Sequence, residues 1–170
     1  MDRQSCNSNR SRSGLKFFAA AALMSCALTA AAAQSCFPVT GHYTENAEIP
    51  PTCGSAVGLC LQGQVSGSLR ASFATTVNQL SADPTDTPLT GVVAFRSDTT
   101  LTGFMGNRSG TILIKNSGSI RMAGNGEIVD LQLIVGGTGG FAGATGAIMS
   151  NGTFVGVSGT SEYSGTVCFP

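Results

Sequence analysis

The chain has 170 residues, enough for one domain, and its 9 basic residues balance its 9 acidic residues. From Gln34 onward, however, five basic residues stand against eight acidic ones, which leaves a net charge of −3. A segment with that charge lacks the basic surface that binding to a phosphate backbone requires, so the composition argues against a nucleic-acid partner.

The N-terminal residues have the three-part pattern of an export signal. Residues 1–16 are polar and basic, and an apolar run from Phe17 to Ala33 follows. The run ends in three alanines before Gln34, and small residues at these positions fit the pockets of a signal peptidase. The pattern predicts a signal peptide over residues 1–33, cleavage after Ala33, and a protein that is secreted or periplasmic.

Two other interpretations of this segment place the protein at a membrane. The apolar run is about as long as the shortest transmembrane helices, although it is mostly alanine, so a retained anchor is one alternative. The other is a lipoprotein, because residues 23–26 resemble a lipobox in which Cys26 is lipidated. More apolar residues follow Cys26 where a lipoprotein usually has a polar tether, and this favours the cleaved signal peptide.

The cysteine content agrees with export. Cys36, Cys53, Cys60 and Cys168 follow the predicted cleavage site, an even number that suits an oxidising compartment. Four cysteines allow three pairings, and their positions favour Cys53–Cys60, which closes a short loop, with Cys36–Cys168, which joins the two chain ends. No metal site is expected, because the only histidine, His42, has no partner at the close spacing of zinc ligands.

Residues 34–60 show no sustained hydrophobic period. They contain Pro38, Pro50 and Pro51 among their cysteines. The Pro-Pro pair excludes a helix and favours extended geometry in the residue before it. We therefore predict an irregular arm over residues 34–60 that is pinned by disulfides.

From Leu61 onward the pattern becomes that of β-strands, and we assign residues 61–170 to one β domain. Apolar residues alternate with polar ones from residue 61 to residue 78, as in a strand with one buried face. Shorter strand-like runs follow, separated by Gly, Asn and Ser residues that favour tight hairpins. These breaks are at residues 106–107, 116–118, 124–126 and 151–152, and a proline-containing loop covers residues 82–88.

About eight short strands joined by hairpins predict a meandering antiparallel sheet. An open sheet would leave two unpaired edges, and closure removes them. We therefore expect an all-β fold, a small eight-stranded antiparallel up-and-down barrel, in preference to a two-sheet sandwich. The interior of such a barrel is filled by side chains or is wide enough for one small ligand.

Residues 136–146 form the most glycine-rich part of the sequence. Gly137, Gly139 and Ala142 fit the G-x-G-x-x-A pattern of a dinucleotide site, but that site needs a helix after the glycine turn. Here another glycine-broken β segment follows, so no cofactor is expected. In the structural interpretation, these glycines allow a bulge or a sharp corner in a closing sheet, and Phe141 fills it.

The same segment, together with Tyr163-Ser164-Gly165, resembles the allene oxide cyclase/dirigent-type barrel superfamily. Members typically carry Gly-Gly-Thr-Gly-x-Phe-x-x-Ala-x-Gly between two barrel strands. The matching residues here are Gly136, Gly137, Thr138, Gly139, Phe141, Ala144 and Gly146. The resemblance is clear from Leu131 to Val167 and looser over the β region from Leu61.

The resemblance implies an eight-stranded barrel whose cavity accepts small, largely apolar molecules. Plant members guide cyclisation or stereoselective radical coupling without a cofactor, and some bacterial barrels of similar build cyclise polyketides. The catalytic acidic, arginine and tyrosine residues of those enzymes have no matching motif in this sequence. The resemblance therefore predicts a kind of cavity and assigns no catalytic residue.

Strand alternation suggests two candidate catalytic residues. The apolar residues at positions 129, 131, 133 and 135 share a parity with Glu127, which predicts that Glu127 points inward and that Asp130 faces water. Tyr163 shares a parity with Val167 and is also expected to point inward. Inside a dry cavity, Glu127 could act as a general acid or base and the Tyr163 hydroxyl could orient a substrate oxygen. In the competing interpretation Glu127 lies at a wet rim and Tyr163 only packs.

Three functional hypotheses follow. In the first, an exported barrel binds a small apolar molecule and steers its cyclisation or isomerisation without a cofactor. In the second, a non-catalytic envelope or secreted protein uses the barrel as a scaffold for a partner. In the third, the barrel is a secreted inhibitor or toxin-like binder. An apolar pocket with one or two convergent polar groups favours the first, and a packed interior with an exposed apolar patch favours the second.

Overall fold

The structure is a computed structural model and describes residues 34–170. The predicted signal peptide over residues 1–33, with the alternative lipidation site at Cys26, lies outside the described residues. Between residues 34 and 170, no helix has both the length and the apolar character needed to cross a membrane.

Eight strands form most of the described chain. They are β1 (Ser35–Ala47), β2 (Cys60–Gly67), β3 (Arg70–Ala82), β4 (Val92–Met105), β5 (Arg108–Arg121), β6 (Glu127–Gly139), β7 (Thr145–Val155) and β8 (Ser158–Phe169). A four-residue helix, α1 (Thr87–Thr90), lies in the connection from β3 to β4. It ends at Gly91, whose φ of 69° is the left-handed conformation common at helix C-termini.

The sheet closes on itself. Each strand pairs antiparallel with its neighbours in the chain, and β1 also pairs with β8, in a register that runs from Ser35↔Phe169 to Asn46↔Ser158. The prediction of an all-β, eight-stranded, antiparallel up-and-down barrel is confirmed. Because the first strand pairs with the last, neither has an unpaired edge.

Both expected disulfides are present. Cys36 and Cys168 are directly paired residues of β1 and β8, with Cα atoms 4.0 Å apart, so this disulfide lies on the line where the barrel closes. Cys53–Cys60 closes the loop between β1 and β2. Of the three connectivities that the sequence allows, the structure has the one that the cysteine positions favour.

The irregular arm predicted over residues 34–60 is wrong in its first half. Ser35–Ala47 forms β1, so the barrel begins there and not at residue 61. The inward positions of this strand are Val39, Gly41, Tyr43 and Glu45. This mixture of apolar, small and charged residues hides the alternation that marks a strand in the sequence. The stretch from residue 48 to residue 59 is irregular, as expected, and Cys53–Cys60 pins it.

The alternation predicted from residue 61 has the correct parity, but a turn at residues 68–69 divides it between β2 and β3. The predicted breaks at residues 106–107 and 124–126 are turns, whereas those at 116–118 and 151–152 lie inside β5 and β7. Gly118 pairs with Phe95 on β4 and Asp130 on β6, and the ring of Phe95 occupies the space that a side chain at Gly118 would need. A Cβ on Gly118 would lie 2.6 Å from Cζ of that ring.

The glycine-rich segment forms the end of β6, a turn over residues 140–144 and the start of β7. Leu113 on β5 pairs with Gly136, whereas the next residue, Ile114, pairs with Ile134, so β6 contains a bulge. Phe141 is completely buried in the turn, and its ring stacks on that of Phe169 with centroids 6.2 Å apart. The interpretation of the segment as a bulge and corner filled by Phe141 is confirmed.

The two ends of the barrel differ in packing. The end that holds Ser35 and Phe169 is filled by side chains at most 2% exposed, among them Leu69, Ile112, Phe141, Val167 and Phe169. The middle layer carries polar side chains. Toward the other end, which holds the connection over residues 48–59, Leu61 and Phe95 point inward but are only half-buried. The space in the barrel therefore lies in the middle layer and toward this second end, which we call the open end.

Candidate functional site

A cavity of about 60 Å³ lies in the middle layer of the barrel. A second compartment, of about 70 Å³, continues it toward the open end, and Glu45, Leu61, Phe95, Ser97 and Ile128 border both. We call these the inner and the outer compartment. An apolar cavity of about 150 Å³ is large enough for benzene. The two compartments together are slightly smaller than this, so they suit a molecule with no more than one small ring.

The outer compartment is apolar and the inner compartment has a polar floor. Leu59, Val77, Leu80, Ile120 and Phe154 complete the walls of the outer compartment. Strand alternation supplies the floor: Tyr43 and Glu45 are successive inward residues of β1, and Asp130 and Gln132 are successive inward residues of β6. A molecule entering from the open end would pass apolar walls before it reached polar groups.

A hydrogen-bonded chain of side chains crosses the floor from β1 to β6. The hydroxyl groups of Tyr43 and Ser150 are 3.1 Å apart. Gln132 Nε2 donates to Ser150 Oγ and to Asp130 Oδ2, each at 3.2 Å. The hydrogen bond from Gln132 therefore orients the Asp130 carboxyl group through Oδ2, whereas its other oxygen, Oδ1, takes no part in these hydrogen bonds.

A second group of hydrogen bonds joins β3, β4 and β5. Asn116 Nδ2 donates to Ser97 Oγ at 2.9 Å and to Thr99 Oγ1 at 2.7 Å. The Thr99 hydroxyl in turn lies 2.6 Å from that of Thr75. Both N–H groups of the Asn116 amide are used in this way, and its carbonyl oxygen takes no part in these hydrogen bonds.

Three acceptor oxygens of the inner compartment are buried and have no hydrogen-bond partner among the described residues: Glu45 Oε1, Asp130 Oδ1 and Asn116 Oδ1. Their residues are 5%, 6% and 8% exposed. A buried polar atom without a partner typically costs about 1–3 kcal/mol, more when it is charged. The floor is therefore built to receive hydrogen-bond donors.

Burial raises the pKa of both carboxyl groups. It raises that of Asp130 to about 6, against the hydrogen bonds from the Gln132 side chain and the Ser117 backbone, which lower it. It raises the pKa of Glu45 to about 7, and the negative charge of Asp130 adds to the effect. Because the hydrogen bonds from Gln132 and Ser117 favour the charged form of Asp130, and that charge disfavours the charged form of Glu45, the pair near neutral pH contains a carboxylate and a partly protonated carboxyl group. These are the two forms that a general base and a general acid require.

Tyr43 stays a neutral hydrogen-bonding group. Burial first, and then the charge of Glu45, raises the pKa of Tyr43 to about 12. Its hydroxyl is therefore protonated throughout the range in which the two carboxyl groups titrate. It can orient a substrate oxygen, the role that the sequence suggested for Tyr163.

Glu127, predicted to point inward, lies on the outer surface. Its side chain is exposed and its Oε2 is 3.9 Å from Arg121 Nη1. The predicted parity of β6 is inverted: the apolar residues from Val129 to Val135 at odd positions are 36–55% exposed, and Asp130, predicted to face water, is buried. The error arises because the strand turns its apolar side outward and a partly polar side toward the cavity.

Tyr163 points inward, as predicted, and is 5% exposed. Its hydroxyl accepts the Leu69 N–H at 3.1 Å and donates to the Ser66 carbonyl at 3.2 Å. Burial raises the pKa of Tyr163. Because the hydroxyl is occupied by the turn between β2 and β3 and borders neither compartment, its position matches the packing interpretation.

The acidic residues of the floor, Glu45 and Asp130, were not predicted. One signal in the sequence pointed to Asp130: Ile128 and Ile134 are apolar at even positions of β6, as an inward face at those positions requires. The sequence shows no comparable signal for Glu45, because this residue lies in the segment that is predicted to be an irregular arm. Only the pairing of β1 with β2 and β8 turns this residue inward.

His42 lies on the outer face of β1 with Ser66 Oγ 2.9 Å from its Nε2. Glu162 is its paired residue on β8, so a serine, a histidine and an acid occupy three adjacent strands. Nucleophilic catalysis also needs donors for an oxyanion. Here β1 is paired on both sides, which engages its backbone N–H groups in the sheet. The arrangement is therefore a surface hydrogen bond and not a catalytic triad.

The part of the chain that the structure describes contains no group of three or more His, Cys, Asp or Glu residues placed to hold a metal ion. Comparisons of the chain with protein-family models, with curated proteins and with solved structures found no match. The resemblance to allene oxide cyclase/dirigent-type barrels stays a prediction.

Proposed function

We propose that this protein is an exported barrel that binds a small, largely apolar molecule and steers its cyclisation or isomerisation without a cofactor. The observation that carries the proposal is the position of Glu45 and Asp130 on the polar floor of a pocket whose outer compartment is apolar. A kinship with the allene oxide cyclase/dirigent-type superfamily is part of the proposal, and the closed eight-stranded barrel supports it. The two disulfides agree with an oxidising, exported environment.

The proposed chemistry is a proton relocation that leaves the composition of the substrate unchanged. The Asp130 carboxylate accepts a proton from one atom of the substrate, and the protonated Glu45 donates a proton to another. The substrate loses one proton and gains another, and its total number of electrons does not change. The reaction therefore needs no oxidant or reductant. After the reaction Asp130 holds a proton taken from the substrate and Glu45 has given its proton to the substrate, so one proton transfer from Asp130 to Glu45 restores the starting state.

The surrounding residues have positioning roles in this proposal. The neutral Tyr43 hydroxyl orients a substrate oxygen, and Gln132 fixes the Asp130 carboxyl through its 3.2 Å hydrogen bond. The rings of Phe73 and Phe95 border the inner compartment and limit the access of water to the reacting atoms. A drier site strengthens the electrostatic effect of the two carboxyl groups on developing charge.

Binding can be tested with fluorobenzene, a neutral single-ring probe, observed by 19F NMR. Ile128 borders both compartments, whereas its neighbour Val129 is 49% exposed on the outer face. We expect the wild-type protein and Val129→Trp to bind the probe, and Ile128→Trp, which fills the pocket, to weaken binding by about tenfold or more. Equal binding by both variants, or no binding by the wild-type protein, would refute the proposed pocket.

Catalysis can be tested once the natural ligand is known. Native mass spectrometry of protein purified from its own source should show a bound small molecule. With that molecule as substrate, we expect Asp130→Asn and Glu45→Gln each to lower turnover by about 10²–10⁴-fold, the usual contribution of general acid–base catalysis. Glu127→Gln is the matched control on the outer surface. Unchanged turnover in both cavity variants would refute the roles of Asp130 and Glu45, and no turnover by the wild-type protein would leave a binding protein without catalysis.

A second candidate function is that of a scaffold for a protein partner. The outer side of β6 presents Val129, Leu131, Leu133 and Val135, all exposed, and Met149 of β7 pairs beside Leu131. Exposed apolar patches on monomers often mark interaction surfaces. A photo-crosslinking residue at Leu133 should then trap a partner in the native compartment that the same residue at the exposed Ser72 does not. Identical crosslinking patterns at both positions would refute this function.

A further inference from the structure

We propose that the inner compartment selects a protonated amine carried on a compact apolar body, such as a primary arylalkyl amine. This inference names the ligand class of the proposed pocket and rests on that pocket being a binding site. Its basis is the match between the hydrogen-bond acceptors of the floor and the donors of an ammonium group.

The first observation is the number and placement of free acceptors. Glu45 Oε1, Asp130 Oδ1 and Asn116 Oδ1 are buried, unpartnered among residues 34–170, and contributed by three different strands that border one compartment. A primary ammonium group has three N–H donors and no acceptor. Its donors therefore match the three oxygens in number, whereas a hydroxyl group has only one donor.

The Asn116 amide is evidence independent of the two acids. Its Nδ2 group donates to Ser97 and Thr99, and its carbonyl oxygen is buried without a partner among residues 34–170. A neutral acceptor therefore borders the same compartment as the two carboxyl groups. The raised pKa values of the two carboxyl groups do not require this neutral acceptor.

The second observation is the lack of a compensating positive charge. No basic side chain of the described chain borders either compartment. Lys115 pairs with Asp98 at 2.7 Å on the surface, and Arg108 stacks on the Phe169 ring at 4.1 Å from the centroid. A buried carboxylate is strongly disfavoured without a cation or donors, so a cationic ligand would supply the missing partner. An anionic ligand would be repelled.

The third observation is the apolar surrounding, which distinguishes an organic cation from an inorganic one. The rings of Tyr43 and Phe73 meet edge to face with centroids 5.7 Å apart at the inner compartment, and Phe95 borders both compartments. Aromatic faces attract organic ammonium groups. The outer compartment, walled by aliphatic and aromatic side chains, then receives the apolar body of the ligand.

The test compares three probes of nearly equal shape by isothermal titration calorimetry at pH 7.5: benzylamine, benzyl alcohol and benzoate. We expect benzylamine to bind at least about tenfold more tightly than benzyl alcohol, since charge-assisted hydrogen bonds are about twice as strong as neutral ones. Benzoate should bind more weakly than either. Asp130→Asn should remove most of the preference for benzylamine and leave the affinity for benzyl alcohol within about twofold.

Control variants and probes distinguish a failure of the ammonium inference from a failure of the proposed pocket. Glu127→Gln, on the outer surface, should retain the wild-type preference. Should Asp130→Asn fail to fold, as judged by circular dichroism, Glu45→Gln provides the same comparison. Binding of benzyl alcohol or fluorobenzene without a preference for benzylamine would overturn the ammonium inference and leave the proposed pocket intact. If none of the four probes binds, both are refuted.

Discussion

The negative charge of Asp130 on β6 raises the pKa of Glu45 on β1, although 84 residues separate them along the chain. The interaction exists because closure of the barrel turns both side chains into the same compartment. It places two carboxyl groups with different protonation states in one small volume. This pair is the feature from which the first prediction follows.

We predict that the protein loses stability as pH rises from about 4 to about 7. The pKa of Glu45 rises from 4.5 to about 7 on folding and that of Asp130 from 3.8 to about 6, so the folded protein keeps protons that the unfolded chain has released. Each group then contributes a loss of about 2–3 kcal/mol across this window. Urea unfolding at pH 4 and at pH 8 measures the difference.

Asp130→Asn should flatten this pH dependence by about 2–3 kcal/mol or more, because it removes one titrating group and its effect on Glu45. Glu127→Gln is the control, since its carboxyl group is exposed and should leave the dependence as in the wild-type protein. A wild-type stability that increases between pH 4 and pH 7 would contradict the burial of the two carboxyl groups.

The two disulfides should differ in their contribution to stability. Cys36 and Cys168 are 132 residues apart in the chain, whereas Cys53 and Cys60 are 7 apart. On the loop-entropy model, Cys36→Ser/Cys168→Ser should cost about 5 kcal/mol and Cys53→Ser/Cys60→Ser about 2 kcal/mol. Denaturant unfolding of the two double variants measures both costs. Equal costs would show that the entropy of the unfolded chain does not govern the effect.

Substitutions of the two buried tyrosines should have different effects, one on stability and the other on function. Tyr163→Phe removes the hydroxyl that bonds Leu69 and Ser66, and we expect a loss of about 1–2 kcal/mol in unfolding free energy. Fluorobenzene binding should be unchanged, because Tyr163 borders neither compartment. Tyr43→Phe should change turnover of the natural substrate. A loss of turnover in Tyr163→Phe at full stability would restore the catalytic role that the sequence suggested.

The corner after β6 should depend on Phe141. Its side chain is 0% exposed and packs on Phe169, so Phe141→Ala should lower the free energy of unfolding by about 3–5 kcal/mol. Phe104 is 61% exposed and provides the matched control, with an expected change below about 1 kcal/mol. Similar losses in both variants would show that the corner is not a packed part of the core.

The class of fold could be predicted from the amino-acid sequence alone. Alternation from residue 61, the Gly and Asn turns at residues 106–107 and 124–126, and the need to remove sheet edges led to a closed barrel. The cysteine positions led to the observed disulfides. These features are local or concern the chain ends, so they can be recognised without knowing which strands are neighbours. For the same reason, the corner formed by the glycine-rich segment was predicted correctly.

The residues that form the site could not be identified without the arrangement of the strands in space. The prediction for β6 assumed that the apolar side of a strand faces inward, whereas here the strand places Asp130 and Gln132 in the cavity and Leu131 and Leu133 outside. Period-two alternation gives two faces but does not say which one is inside, and a cavity that holds polar groups reverses the usual choice. Glu45 could be recognised as a site residue only from the pairing of β1 with β2 and β8, because the closed sheet determines which side chains point into the barrel.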